Sequence, residues 1–228
     1  TIKKIKYEYP TSAVLEISYK NRFSASVIDS NEYLEMSITQ KKFFLKNYLN
    51  DSLSLSFAAC SSPQYTFWLG SDKNNLEAQK IFIKDLKEHV QKIDLEKGII
   101  TTNNLNELQS YFIDFNVQPL ANYFLLSGRG LASIKIQELK KINDSFLNAN
   151  TLFVSINSLE ELISSFPNNI QTLTYTKNVG TTFIMKFQKD LAHRCPDRIV
   201  PFGKALSFNM IWDGTNLLNT LRKKVLIQ

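Results

Sequence analysis

Short apolar runs alternate with longer segments of helical periodicity, and this alternation constrains the fold more than any other feature of the sequence. Apolar runs at residues 23–28, 65–69, 152–156 and 170–175 are typical of buried strands. Residues 74–93 place apolar side chains on one helical face with charges opposite. Strands alternating with helices predict an α/β fold, with a largely parallel twisted sheet flanked by helices.

Weaker patterns fill the rest of the chain. We expect further strands at 13–17, 53–57, near 134, at 183–185 and at 198–202. Further helices are predicted at 40–48, 105–115, 137–146, from Asn157 or Ser158 to Pro167, up to about His193, and from Asn216 onward; residues 127–130 are predicted to form a turn. Since no repeat, low-complexity tract or linker interrupts the pattern, we interpret residues 1–228 as one domain.

Composition excludes several classes of function. With 228 residues, 43% of them hydrophobic, the chain can fill a packed core. The net charge of +6 is spread over short lysine pairs set among acidic residues, which indicates a solvated basic surface and no nucleic-acid partner. No apolar run is long enough to span a bilayer, and residues 1–10 lack the apolar core of a signal peptide.

Two cysteines lie far apart, without metal-ligand spacing around either, so we expect no disulfide framework, no metal site and a cytoplasmic location. The motifs GxGxxG, GxxxxGK[ST], HExxH and CxxC are missing, and there are only seven glycines. If the protein uses a dinucleotide, most of that site must lie outside this chain.

Cys60 is the strongest candidate for chemistry because of its surroundings. It follows the predicted strand at 53–57 and precedes Ser61, Ser62 and the turn-forming Pro63. Such a loop exposes the thiol, and nearby backbone N–H groups can stabilise a thiolate and hold an oxyanion. The competing interpretation is that Cys60 is a small buried hydrophobic residue, as isolated cysteines often are.

Four segments decide between these interpretations. Residues 57–64 (FAACSSPQ), 128–130 followed by an apolar strand, 170–175 (IQTLTY), and 197–203 (DRIVPFG) leading to 212–214 (WDG) together resemble the bacterial long-chain fatty acyl reductases. These act on acyl-CoA or acyl-protein thioesters and belong to the aldehyde dehydrogenase superfamily. The family usually has Gln one or two residues before the cysteine, where this chain has Ala58 and Ala59.

The resemblance implies a catalytic domain of the aldehyde dehydrogenase fold, with Cys60 as the acyl-accepting nucleophile and the adjoining residues Ala59, Ser61 and Ser62 forming the substrate and oxyanion loop. It implies NADPH as the cofactor and a fatty acyl-CoA or acyl-carrying protein as the partner. It also implies that a nicotinamide-binding domain precedes this region and is absent from the chain. A homo-oligomer is compatible with the family.

Other residues receive weaker assignments. His193 is a secondary site candidate, although a surface or structural role is the preferred interpretation. Arg129 is a second such candidate, as a partner for phosphate or carboxylate. Cys195 is interpreted as structural, and residues 212–214 as packing and capping the last helix. Two alternative functions stay open: an oxidising aldehyde dehydrogenase of the same fold, and a basic, non-enzymatic interaction module.

Overall fold

A computed structural model describes residues 17, 22–52, 59–92, 119–126, 129–134, 151–165, 169–190 and 196–222. The strands are β1 (Phe23–Asp29), β2 (Pro63–Leu69), β3 (Pro119–Leu126), β4 (Arg129–Ile134), β5 (Thr151–Ile156), β6 (Ile170–Tyr175), β7 (Arg198–Pro201), β8 (Ile211–Trp212) and β9 (Thr215–Asn216). The helices are α1 (Ser30–Glu35), α2 (Ile38–Ser52), α3 (Asp72–Lys92), α4 (Leu159–Ser165), α5 (Lys177–Asp190) and α6 (Leu217–Leu221).

Seven strands form one sheet in the order β3-β4-β5-β2-β1-β6-β7. Strands β4, β5, β2, β1, β6 and β7 run parallel, and only β3 pairs antiparallel, with β4. The parallel strands therefore begin along one side of the sheet, called here the amino edge, and end along the other, the carboxyl edge. Phe23, Pro63 and Ile170 mark the amino edge, and Asp29, Leu69 and Tyr175 mark the carboxyl edge.

Helices cover both faces of the sheet. On one face, α1, α2 and α3 bury an aromatic cluster against β2 and β5; it includes Tyr33, Phe44, Tyr48, Trp68, Phe82, Phe153 and Phe202. On the other face, α4 and α5 cover an aliphatic cluster that includes Val27, Leu152, Val154, Leu159, Leu162, Leu173 and Val179. Successive residues such as Val27 and Ile28 serve opposite faces, so strand β1 is buried on both faces although Ser24 and Ser26 interrupt its apolar residues.

The predicted parallel α/β sheet is confirmed, and so are its central strands. The strand predicted at 170–175 has the observed bounds, and those predicted at 23–28, 65–69, 152–156 and 198–202 agree within two residues at each end. Helix α3 follows the predicted 74–93 over its described length, whereas α2 extends the predicted 40–48 by two residues at its start and four at its end. The Ser158 hydroxyl accepts the Glu161 N–H and caps α4, as one of the two predicted caps.

The strand predicted at 183–185 is wrong, because these residues belong to helix α5. The run Thr181-Thr182-Phe183-Ile184 favours a strand locally, but β6 and β7 are parallel neighbours. A parallel connection has to return the chain across the sheet, and it usually does so through a helix. The topology therefore overrides the local preference.

Two further differences concern β3 and β4. No strand was predicted at 119–126. Pro119 opens the edge strand β3, a position that tolerates proline. Arg129 and Gly130 belong to β4 and not to the predicted turn, since Arg129 pairs with Leu126. The predictions at 13–16, 53–57, 105–115, 127–128, 137–146 and 191–195 lie outside the described residues.

Candidate active site at the amino edge of the sheet

Cys60 lies in a turn of four residues, 59–62, that leads directly into β2. Its thiol is free and exposed, whereas Ser61 and Ser62 are buried. The Ser62 N–H donates to the Ala59 carbonyl over 2.9 Å and closes the turn. An amide donor for an oxyanion here would come from Cys60 or Ser61, because the Ser62 N–H is already used.

Ser24 on β1 ties this turn to the sheet. Its hydroxyl is fully buried, donates to the Cys60 carbonyl over 2.6 Å, and accepts the Thr172 N–H of β6 over 3.1 Å. Sequence analysis missed Ser24. The available signal was a polar residue inside a strand whose neighbours are apolar, since buried hydroxyls nearly always have hydrogen-bond partners.

The WDG segment at 212–214 reaches the same edge. It forms the turn of the β8–β9 hairpin, with Asp213 at φ 46° and Gly214 at φ 72°, the signs that a two-residue hairpin turn favours. The Gln171 amide of β6 donates to the Asp213 carboxylate over 2.5 Å. The predicted capping role of 212–214 is wrong: the Asn216 side chain caps α6 by accepting the Asn219 N–H.

A partly buried ion pair lies beside this hairpin. The Arg22 guanidinium and the Asp197 carboxylate are 2.7 Å apart, immediately before β1 and β7. Burial raises the pKa of Asp197; the Arg22 charge opposes that rise, and the neighbouring Asp213 carboxylate adds to it. A Cβ atom at position 214 would lie 3.2 Å from the Asp197 carboxylate, so glycine suits this close approach.

Several buried polar atoms at this edge lack a hydrogen-bond partner among the described residues. They are the Ser62 hydroxyl, both amide atoms of Gln64, and the side-chain oxygens of Asn169, Gln171 and Thr172. All lie at or next to the first residues of β2 and β6. Buried groups of this kind are normally satisfied, so water, a ligand or residues outside the described part of the chain would supply their partners.

Asp51, near the end of α2, anchors the segment that follows β7. It is 1% exposed, and its carboxylate accepts the N–H groups of Gly203 (2.6 Å) and Ala205 (2.9 Å). Burial raises the pKa of Asp51 to about 6, against the opposing effects of these two N–H groups and of Arg198. No local sequence pattern identified Asp51, since its partners lie about 150 residues further along the chain.

Arg198 holds the same segment from its other side. Its guanidinium donates to the carbonyls of Lys204, Ala205 and Ser207 and lies 5.0 Å from the centre of the Trp212 ring. Residues 203–207 lie between the carboxyl end of β7 and the hairpin at the amino edge. Asp51 of α2 and Arg198 of β7 hold this segment from two sides.

A cavity of about 790 Å³ lies at the opposite, carboxyl edge. Its lining includes Met36, Phe43, Phe44, Tyr175 and Phe202, with Glu32 and Lys177 among its polar residues. None of the lining residues belongs to the Cys60 turn. The cavity is therefore separate from the candidate nucleophile.

The described residues do not fit the pyrophosphate of a dinucleotide. Phosphates bind at helix N-termini that follow strands, where the first N–H groups are unpaired. Here the Asp29 carboxylate caps α1, and the Glu32 carboxylate accepts the first two N–H groups of α5. The hydroxyls of Ser71 and Ser158 accept N–H groups at the starts of α3 and α4. Two of these positions thus already hold a negative charge.

The predicted site residues have different outcomes. Ala59, Cys60, Ser61 and Ser62 lie together in one turn, and Arg129 opens β4, with its side chain outside the described set. His193 and Cys195 lie outside the described residues. In the described part of the chain, no cluster of His, Cys, Asp and Glu is arranged for a metal ion, and no helix there has the length and apolar character needed to cross a membrane.

The fold is similar to that of solved aldehyde dehydrogenases. Aldehyde dehydrogenase 21 from Physcomitrella patens, solved with the reaction product succinate, is 11% identical over 81% of this chain and 39% of its own, with a TM-score of 0.52. Betaine aldehyde dehydrogenase from Staphylococcus aureus, solved with NAD+, is 10% identical over 88% of this chain and 41% of its own, with a TM-score of 0.51.

The D778Y mutant of proline utilization A from Bradyrhizobium japonicum is 10% identical over 88% of this chain and 21% of its own, with a TM-score of 0.55. The chain thus spans about two fifths or less of these proteins. No protein-family model and no curated protein sequence matches it. At such low identity, the similarity establishes the fold.

Proposed function

We propose that the protein reduces a fatty acyl thioester, carried by CoA or by a protein, to the fatty aldehyde, with Cys60 accepting the acyl group and NADPH supplying the hydride. The observation that carries this proposal is the exposed Cys60 thiol, presented by a hydrogen-bonded turn at the edge of an aldehyde-dehydrogenase-like sheet. The resemblance of residues 57–64 to the fatty acyl reductases supports the same chemistry.

The step assigned to this chain is acyl transfer. The Cys60 sulfur loses its proton and attacks the thioester carbonyl, forming a carbon–sulfur bond and a tetrahedral oxyanion. Collapse of the oxyanion breaks the bond to the donor's sulfur, and the departing thiolate takes up a proton. The product is an acyl-Cys60 thioester, which an amide hydrogen of the turn would help to form by stabilising the oxyanion.

NADPH binding is assigned to a part of the protein other than the described residues. The capped helix N-termini support this assignment, because their first N–H groups already bond to Asp29 and Glu32. We expect the 228-residue chain alone to bind NADPH much more weakly than the full-length protein. Calorimetric titration of both tests this, and equal affinity would contradict it.

An oxidising aldehyde dehydrogenase is the second candidate function. It is favoured by the solved structures of similar fold, two of which are named as aldehyde dehydrogenases. Such an enzyme would convert free aldehydes to acids with NAD+ or NADP+, irrespective of CoA. A base that activates water would then be needed to hydrolyse the acyl-enzyme, whereas thioester reduction needs none.

Product analysis separates the two candidates. Full-length protein is incubated with a long-chain acyl-CoA and NADPH in one arm, and with the matching aldehyde and NAD+ or NADP+ in the other. We expect fatty aldehyde and free CoA in the first arm, and loss of this activity in the Cys60→Ser variant. Acid formation from aldehyde, with no aldehyde formed from acyl-CoA, would favour the oxidising enzyme.

A further inference from the structure

Ser24 is bonded in a way that leaves its hydroxyl no alternative orientation. A carbonyl oxygen can only accept and an amide N–H can only donate, so the Ser24 hydroxyl donates to Cys60 and accepts from Thr172. Ser24 is 0% exposed, and its bond to the Thr172 N–H is buried, so water does not compete for that bond. One side chain therefore joins the candidate nucleophile's backbone to β1 and β6 together.

The bond to Ser24 also orients the peptide unit that follows Cys60. In a planar trans peptide, the carbonyl and the next N–H point in opposite directions. With the Cys60 carbonyl directed at Ser24, the Ser61 N–H is directed away from β1. The same bond thus limits rotation about Cys60 and sets the directions of its side chain and of an adjacent amide donor.

We propose that Ser24 is the positioning residue for Cys60. It holds the Cys60 peptide so that the sulfur reaches the carbon of a thioester carbonyl while an amide hydrogen of the turn reaches its oxygen. This proposal rests on the proposed function, because it assigns a geometry to acyl transfer. Ser24 does not touch the substrate and takes no proton in the reaction.

Ser26 provides a matched control on the same strand. It is also a serine at 0% exposure, but its hydroxyl bonds to Thr66 over 2.9 Å and has no contact with the Cys60 turn. Replacing either serine by alanine removes one buried hydroxyl from the centre of the sheet. A general weakening of β1 would therefore slow acyl transfer in both variants, whereas loss of the bond to the Cys60 carbonyl would slow it only in Ser24→Ala.

The test measures acyl transfer from long-chain acyl-CoA to Cys60 in full-length wild type, Ser24→Ala, Ser26→Ala and Ser24→Cys, read on the Cys60-containing peptide by mass spectrometry. We expect Ser24→Ala to lower the maximal rate by about 10- to 100-fold, the scale of a misplaced reacting group, with little change in the acyl-CoA concentration at half-maximal rate. Ser26→Ala should stay within about threefold of wild type. Ser24→Cys keeps the side-chain shape with a larger atom and a weaker donor, and it should fall in between.

Alkylation of Cys60 by iodoacetamide serves as the second measurement, because a small reagent attacking an exposed thiol needs little orientation. We expect its rate to change less than about threefold in Ser24→Ala, which also shows that the turn still exposes the thiol. Equal acyl transfer in Ser24→Ala and Ser26→Ala would overturn the positioning role alone. Absence of acyl transfer in wild type would overturn the proposed function and this inference together.

Discussion

The two edges of the parallel sheet differ in how their polar groups are satisfied. At the carboxyl edge, many polar groups pair locally: Asp29 and Glu32 cap helices, and the Ser30 hydroxyl donates to Asn75 over 2.6 Å. Two buried atoms near that edge, Trp68 Nε1 and Thr174 Oγ1, have no partner among the described residues. At the amino edge, Gln64, Asn169 and Thr172 keep buried polar atoms without partners among the described residues. The 790 Å³ cavity lies at the first edge and the free thiol at the second.

The volume of a cavity alone therefore does not locate the candidate chemistry. Ligands of open α/β sheets usually bind at the carboxyl ends of strands, which would favour the cavity. Yet the candidate nucleophile and its hydrogen-bonded support lie at the other end. The amino edge also holds more of the buried polar atoms that have no partner among the described residues, so we propose that the substrate binds at that edge.

The largest expected effect on stability concerns residues 203–207, the segment that runs from one edge to the other. Asp51→Ala leaves the buried N–H groups of Gly203 and Ala205 without their acceptor, and we expect it to lower the free energy of unfolding by about 3 to 4 kcal/mol. Urea denaturation measures this loss. A change below about 1 kcal/mol would show that the segment is held without Asp51.

The pH dependence of stability tests the burial of Asp51. The pKa of Asp51 is about 6 in the folded chain and near 3.8 when unfolded, so between these values the folded state binds more protons. Stability from this group therefore falls as pH rises from about 4 to about 6, by up to about 3 kcal/mol. In Asp51→Asn this loss is absent, because the amide does not titrate. The difference in the free energy of unfolding between wild type and variant should therefore become smaller as pH rises. A difference that is constant with pH would contradict the assignment.

Loss of the Arg22–Asp197 ion pair at the amino edge should lower the free energy of unfolding more than a weaker Glu32 cap at the carboxyl edge. Arg22→Met leaves the partly buried Asp197 carboxylate without its cation, and we expect a loss of about 2 kcal/mol at neutral pH. The loss should shrink in acid, where Asp197 is protonated. Glu32→Gln, which weakens the cap of α5, should cost about 1 kcal/mol or less. The reverse order, measured by urea denaturation at pH 7, would contradict the difference between the two edges.

The smallest effect is expected in the cavity itself. Phe43 is 68% exposed there, so Phe43→Ala should change the free energy of unfolding by less than about 0.5 kcal/mol. It should also leave the rate of Cys60 acylation unchanged, since the cavity lining contains no residue of the Cys60 turn. A severalfold fall in that rate would connect the cavity to the site.

The sequence predicted those parts of the fold that depend on local pattern. Strand β6 and helix α3 have clear periodicity, and their bounds were close to the observed ones. The parallel connection from β6 to β7 depends on topology, so the local strand preference at 183–185 was misleading. Strand β3 was missed because a proline at its first residue resembles a helix stop.

The sequence predicted Cys60 as the candidate nucleophile, but it did not predict the residues that hold the surrounding segments, Ser24 and Asp51. Ser24 and Cys60 are 36 residues apart, and Asp51 and Gly203 are 152 apart, so no spacing rule connects either pair. What the sequence did offer was indirect: Ser24 is polar in a strand that the fold buries on both faces. Hydrogen bonds across a sheet become visible only once the strand order is known.

The central claim is that Cys60 takes the acyl group. The most direct test incubates full-length protein with a long-chain acyl-CoA, without NADPH, and maps the adduct by mass spectrometry after digestion under denaturing conditions. We expect an acyl group on the Cys60 peptide that neutral hydroxylamine removes as a thioester, and none in Cys60→Ser. An acyl group on another residue, or equal labelling of the Cys60→Ser protein, would contradict it.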